Sequence, residues 1–65
     1  MIEVTRLNGE TFYINPHQIE YLERTPDTII TFASGRKSVV KNSIDEIRQK
    51  TIEYRRKLAA MGQEL

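Results

Sequence analysis

The sequence predicts an α+β fold: a five-stranded antiparallel β-meander, able to curl toward a small open barrel, followed by one C-terminal α-helix. Three observations predict it. Residues Met1 to Lys41 carry both prolines, two of the three glycines and most of the β-branched side chains. Residues 42–65 contain no proline and are rich in Glu, Arg, Lys, Gln and Ala. At the junction, Ser43-Ile44-Asp45-Glu46 has the form of a capped helix start. The expected division is a β body over 1–41 and a helix over 43–61, within a single domain spanning 1–65.

The first hairpin is marked by Asn8-Gly9. A two-residue loop would set Val4 beside Tyr13. A three-residue loop, Leu7-Asn8-Gly9 with glycine left-handed, instead pairs Arg6 with Glu10, Val4 with Phe12 and Ile2 with Ile14. The second register gathers four apolar residues on one face and puts an ion pair at the mouth, so it is the expected one. Asn15-Pro16 ends the second strand, because proline lacks the N–H a ladder needs and biases Asn15 toward an extended conformation.

A short turn through His17-Gln18 leads to a third strand near Ile19–Arg24. Thr25-Pro26-Asp27 is the next turn. Thr28–Ala33 is the most strand-like run, and apolar residues on both its faces predict an inner strand. Ser34-Gly35 turns the chain into Arg36–Lys41, where Val39 and Val40 supply the apolar surface. Two- and three-residue loops both give acceptable pairs in this second hairpin. The expected core comprises Ile2, Val4, Phe12, Ile14, Ile19, Leu22, Ile30, Phe32, Val39, Ile44 and Ile47.

Helix initiation rests on a capping box, with Ser43 accepting from the Glu46 N–H and Glu46 reaching back to the Ser43 N–H. Ile44, Ile47, Thr51, Tyr54, Leu58 and Met61 then recur at alternating steps of three and four, a single apolar stripe. Glu46–Lys50 and Glu53–Lys57 are i,i+4 pairs in the favourable order, and Gly62 is the expected stop. The stripe predicts docking on the body through Ile44, Ile47 and Thr51. Tyr54, Leu58 and Met61 are expected to run past the body into a subunit contact.

A chain of 65 residues buries a small core, about 60% of the surface its unfolded form exposes. It has no cysteine for a disulfide and no Cys/His cluster for a structural zinc. Self-association is the remaining common supplement, and Ile29 and Ile30, on opposite faces of one strand, leave a surface for it. The formal net charge of +1 argues against a nucleic-acid binder and gives no attraction to a membrane. No apolar run approaches the ~20 residues of a membrane span. Met1-Ile2-Glu3-Val4 lacks the basic and apolar regions of a signal peptide, so the expected setting is the cytoplasm.

No catalytic constellation is legible, and neither a cofactor nor a metal site is expected. His17 is the only histidine and sits beside a turn proline. Gly9 and Gly35 stand alone in hairpin turns rather than in a phosphate loop. Tyr54-Arg55-Arg56-Lys57 is the one charge run of note, and a basic helix end can contact phosphate or an acidic surface. The plainer reading is a solvated face, because Tyr54 belongs to the apolar stripe. The candidate interaction surface is therefore Tyr54, Arg55, Arg56, Lys57, Leu58 and Met61.

The ordered set Leu7-Asn8-Gly9, Asn15-Pro16, Thr25-Pro26-Asp27-Thr28, Gly35 and Val39-Val40-Lys41 leading into Ser43 resembles the FlbD-type family of small flagellar proteins. The resemblance runs from Met1 to about Tyr54, and each anchor is turn or cap chemistry. It implies a cytoplasmic protein of the bacterial flagellar system that supports swarming motility and motor output, with no enzymatic activity and an unidentified flagellar protein partner. The alternative is a small nucleic-acid-binding regulator of flagellar genes, since Ile19 to Glu46 resembles the ending of LytTR-type DNA-binding domains. The near-zero charge, the absence of tryptophan and the expected burial of Phe12 and Phe32 weigh against it.

Overall fold

The first hairpin forms in the three-residue register. In a computed structural model that describes residues 1–61, β1 (Ile2–Thr5) pairs antiparallel with β2 (Thr11–Ile14), setting Ile2 opposite Ile14 and Val4 opposite Phe12. The Arg6 N–H donates to the Glu10 carbonyl at 2.7 Å and the Gly9 N–H to the Arg6 carbonyl at 3.0 Å. Gly9 has φ +94°, the left-handed conformation that only glycine adopts without strain. The Asn8 side-chain oxygen accepts from the Glu10 N–H at 2.9 Å, fixing the loop locally. The expected Arg6–Glu10 ion pair does not form. The Arg6 guanidinium instead lies 3.9 Å from the centroid of the Phe12 ring, a cation–π contact that also shields that ring from water.

Asn15 accepts from the His17 N–H at 3.0 Å and caps a 3₁₀ turn, Pro16–Gln18. Pro16 is buried at its first position, where a missing N–H costs nothing. This turn takes the chain out of β geometry, and β2 does not pair with the strand that follows. The strands therefore do not make one continuous meander. They form a two-stranded sheet, β1-β2, and a three-stranded sheet made of β3 (Ile19–Arg24), β4 (Thr28–Phe32) and β5 (Lys37–Val40). The sheets touch where Arg6 bridges Val40 and the Lys41 N–H donates to the Thr5 carbonyl at 2.8 Å. The barrel is not closed.

The second hairpin uses the same loop as the first. Thr31 lies opposite Lys37 and Ile29 opposite Val39. The Phe32 N–H donates to the Arg36 carbonyl, the Gly35 N–H donates to the Phe32 carbonyl, and Gly35 has φ +92°. That register turns Val39 outward, 40% exposed, and puts Val40 in the core at 1%. Val39 is thus not a core residue, and its neighbour takes the place expected for it. On β3 a bulge at Glu20 places Ile19 opposite Phe32 and Leu22 opposite Ile30. Two residues three apart thereby reach the same inner face.

Helix α1 (Ile44–Met61) begins on Ser43, whose hydroxyl accepts from the Glu46 N–H at 3.0 Å. The return half of the capping box is absent. The Glu46 carboxylate accepts at 2.7 Å from the side-chain amide of Asn42, whose oxygen accepts from the Thr5 N–H. Among the described residues the one ion pair is Arg48–Asp45 at 3.4 Å, exposed and of small energetic weight. Glu46–Lys50 and Glu53–Lys57 are not joined. The Gly62 stop lies outside the described residues.

One hydrophobic cluster of Ile2, Val4, Ile14, Ile30, Val40 and Ile47 draws on both sheets and the helix. Phe12, Ile19, Leu22, Phe32 and Tyr54 pack around it half-buried. Ile44, expected in the core, is half-buried outside that cluster. Ile47 is the buried residue of the helix, at 1% exposure, so docking is centred there.

Candidate interaction surface

The C-terminal part of α1 holds the six residues marked in the sequence, Tyr54, Arg55, Arg56, Lys57, Leu58 and Met61, and the structure divides them. Tyr54 does not run past the body. Its ring packs edge-on against His17, with centroids 5.7 Å apart and planes at 65°, so the helix stays docked through the 3₁₀ turn. Leu58 is half-buried and Met61 is 63% exposed. Thr51 turns its hydroxyl inward, donating to the Ile47 carbonyl at 2.8 Å.

The basic run is spread around the helix instead of gathered. Successive helical residues turn by about 100°, so Arg55 and Lys57 point roughly 200° apart. Arg55 lines a shallow groove of about 280 Å³ between α1 and β3, with Pro16, Ile19, Leu22, Ile47, Thr51 and Ile52 among its walls. Lys57 lines a groove of about 340 Å³ on the opposite flank, with Met1, Ile2, Glu3, Glu53 and Tyr54. Glu3 and Glu53 offset its charge. Arg48 joins Arg55 in the first groove and Lys50 joins Lys57 in the second.

The residues marked at the turns lie apart and work locally. Asn8 and Gly9 shape one hairpin, Gly35 the other, Asn15 and Pro16 the 3₁₀ turn, and Ser43 the helix cap. Pro26 and Asp27 shape the β3–β4 turn, where the Thr25 N–H donates to the Asp27 carbonyl at 3.0 Å and the Thr25–Pro26 bond is cis. They set the fold and converge on no chemistry. Among the described residues no group of three or more His, Cys, Asp or Glu could hold a metal, and no helix is long and apolar enough to cross a membrane.

Two further surfaces lie away from the helix end. One is an open mouth of about 330 Å³ between the two hairpins, with Arg6, Phe12, Gln18, Phe32 and Arg36 among its lining. The other is the outer face of the three-stranded sheet. There Tyr21 and Val39 are 49% and 40% exposed, and Ile29 is half-buried between them. The signal for this face was present in Ile29-Ile30, apolar on both sides of one strand. What hid the rest was register: only the observed pairing puts Tyr21 and Val39 on the Ile29 side.

The pattern of the FlbD family, flagellar and swarming motility proteins, matches residues 1–59. The chain belongs to that family. No curated protein and no solved structure matches it. The match reaches Ala59, so the shared region includes Arg55, Arg56, Lys57 and Leu58, beyond the limit near Tyr54 expected from the turn anchors.

Proposed function

We propose that this member of the FlbD family is a non-enzymatic accessory of the bacterial flagellar system. It acts in the cytoplasm and supports swarming motility and motor output through protein–protein contacts, including contacts between copies of itself. The observation that carries the reading is the family match over residues 1–59. Two features agree with it. Apolar side chains are exposed at the helix end, Met61 among them, and others, Tyr21 and Val39, are exposed on the outer sheet face.

Deleting the gene is expected to impair swarming or motor output while filaments still assemble. His17→Ala should leave motility intact, whereas a charged residue at Leu58 or Met61 should weaken assembly and motility together. A regulator of flagellar genes would behave otherwise: transcript levels would change, and neutralising Arg55, Arg56 and Lys57 would abolish a salt-sensitive RNA or DNA complex. A sub-micromolar, sequence-selective complex lost in that triple variant would replace the accessory reading.

A further inference from the structure

The outer face of the β3–β4–β5 sheet leaves Tyr21 and Val39 exposed, and its side chains are laid out as a grid. Cross-strand pairing puts Tyr21, Thr31 and Lys37 in one row and Glu23, Ile29 and Val39 in the next. Tyr21 and Val39 hold one diagonal and Glu23 and Lys37 the other. Both charged residues are exposed and neither is in an ion pair among the described residues. In the middle, Thr31 is buried at 3% exposure and its hydroxyl has no hydrogen-bond partner.

We propose that this face joins two copies of the chain, packed face to face about a two-fold axis along the Tyr21–Val39 diagonal. Such an axis returns each of its own corners to itself and brings each of the other two within about 4 Å of the opposite corner's place, a gap long side chains span. Tyr21 meets Tyr21 and Val39 meets Val39, while Glu23 of each copy faces Lys37 of the other. The patch is therefore complementary to itself in charge and apolar along the axis, as an isologous contact requires.

The spacing of the grid agrees. Alternate residues lie about 6.8 Å apart along a strand and the outer strands about 9.6 Å apart, so the diagonal runs roughly 55° from the strand direction. Turning a copy about that line crosses the strands at about 110°, close to the orthogonal class of sheet packing. The place of this dimer in motility rests on the contact-based function above, but its existence is a property of the isolated protein.

Sedimentation equilibrium of the full chain and its variants at micromolar concentrations tests it. The parent should sediment at twice its chain mass of 7.6 kDa. Glu23→Lys and Lys37→Glu should each weaken the dimer by at least about tenfold, because each creates two like-charge contacts. Both are exposed positions, so the far-ultraviolet spectrum and melting curve of the monomer should not change. The decisive result is a mixture. Combining the two single variants restores opposite charges at both corners, so a 1:1 heterodimer should form from two monomeric solutions. A parent that stays at 7.6 kDa, single variants that remain dimeric, or a mixture that fails to associate would each overturn the proposal. A monomeric parent that still supports swarming would do so while leaving the accessory function standing.

Discussion

Asn42 and Glu46 are joined side chain to side chain at 2.7 Å, and through Asn42 the helix start is tied to the first strand. The Asn42 amide donates to the Glu46 carboxylate while its oxygen accepts from the Thr5 N–H, also at 2.7 Å. Asn42 is itself buried. One side chain thus satisfies a strand donor and orients a carboxylate at the helix N-terminus, where negative charge is favourable. Asn42→Ala should cost about 1–3 kcal/mol in urea unfolding, since it strands a partly buried amide. Ser43→Ala, which removes only the cap, should cost about 1 kcal/mol. Asn42→Asp sets two carboxylates together and should destabilise, and adding Glu46→Gln should recover most of the loss. If Asn42→Ala unfolds at the parental midpoint, the junction carries no stability.

Gly9 and Gly35 should be alike in their response to substitution. A Cβ at either position meets nothing within 4 Å, so no steric clash with neighbours contributes. What remains is the left-handed backbone, φ +94° and +92°. Gly9→Ala and Gly35→Ala should each lose about 1–2 kcal/mol, with asparagine milder at both sites. Thermal melts of the four variants check this, and an alanine variant as stable as the parent would contradict the loop geometry.

Val39 and Val40 should differ sharply despite being adjacent and identical. Val40→Ala removes two methyl groups from a filled core and should cost about 2 kcal/mol. Val39→Ala should cost less than about 0.5 kcal/mol in the monomer. Chemical denaturation at a concentration below that of self-association separates the two. The opposite ranking would mean that the β4–β5 register is shifted by one residue.

The His17–Tyr54 contact should be measurable as a coupling. His17→Ala is expected to lower stability by about 1 kcal/mol, and a double-mutant cycle with Tyr54→Leu should show about 0.5–1.5 kcal/mol of interaction. Independent, additive effects would show that the helix end is not held by the 3₁₀ turn.

Hairpins, turns and cap were legible because each is written in contiguous residues. Leu7-Asn8-Gly9 specified its loop because only one register buried Ile2, Val4, Phe12 and Ile14 on a common face. The second hairpin offered no such asymmetry: Val39 and Val40 are interchangeable to a pattern and only the three-dimensional pairing separates them. Contacts across long separations were not legible either. Nothing near Asn42 announces that its partner is Thr5, and nothing near Arg6 says that Phe12 will outcompete Glu10 for its guanidinium. The candidate surface followed the same rule. The helical stripe was visible as a period, although its division at Tyr54 depends on His17, and the sheet face needed three strands in register before its side chains became a patch.

The seam between the two sheets has a consequence for how the protein is made. It is closed by the two ends of the fold, Thr5 and Arg6 against Val40, Lys41 and Asn42, with the Thr5–Asn42 bond spanning 37 positions. As the chain leaves a ribosome, the first hairpin emerges with Ile2, Val4 and Ile14 bare. Their cover, Val40 and Ile47, is translated only after β3 and β4. Folding is then a single late event rather than a stepwise one, because the loop must close before any long-range contact rewards it. A nascent chain stalled before residue 40 would hold its strands without the residues that close the core, and it should be a substrate for proteases, not a smaller version of the fold.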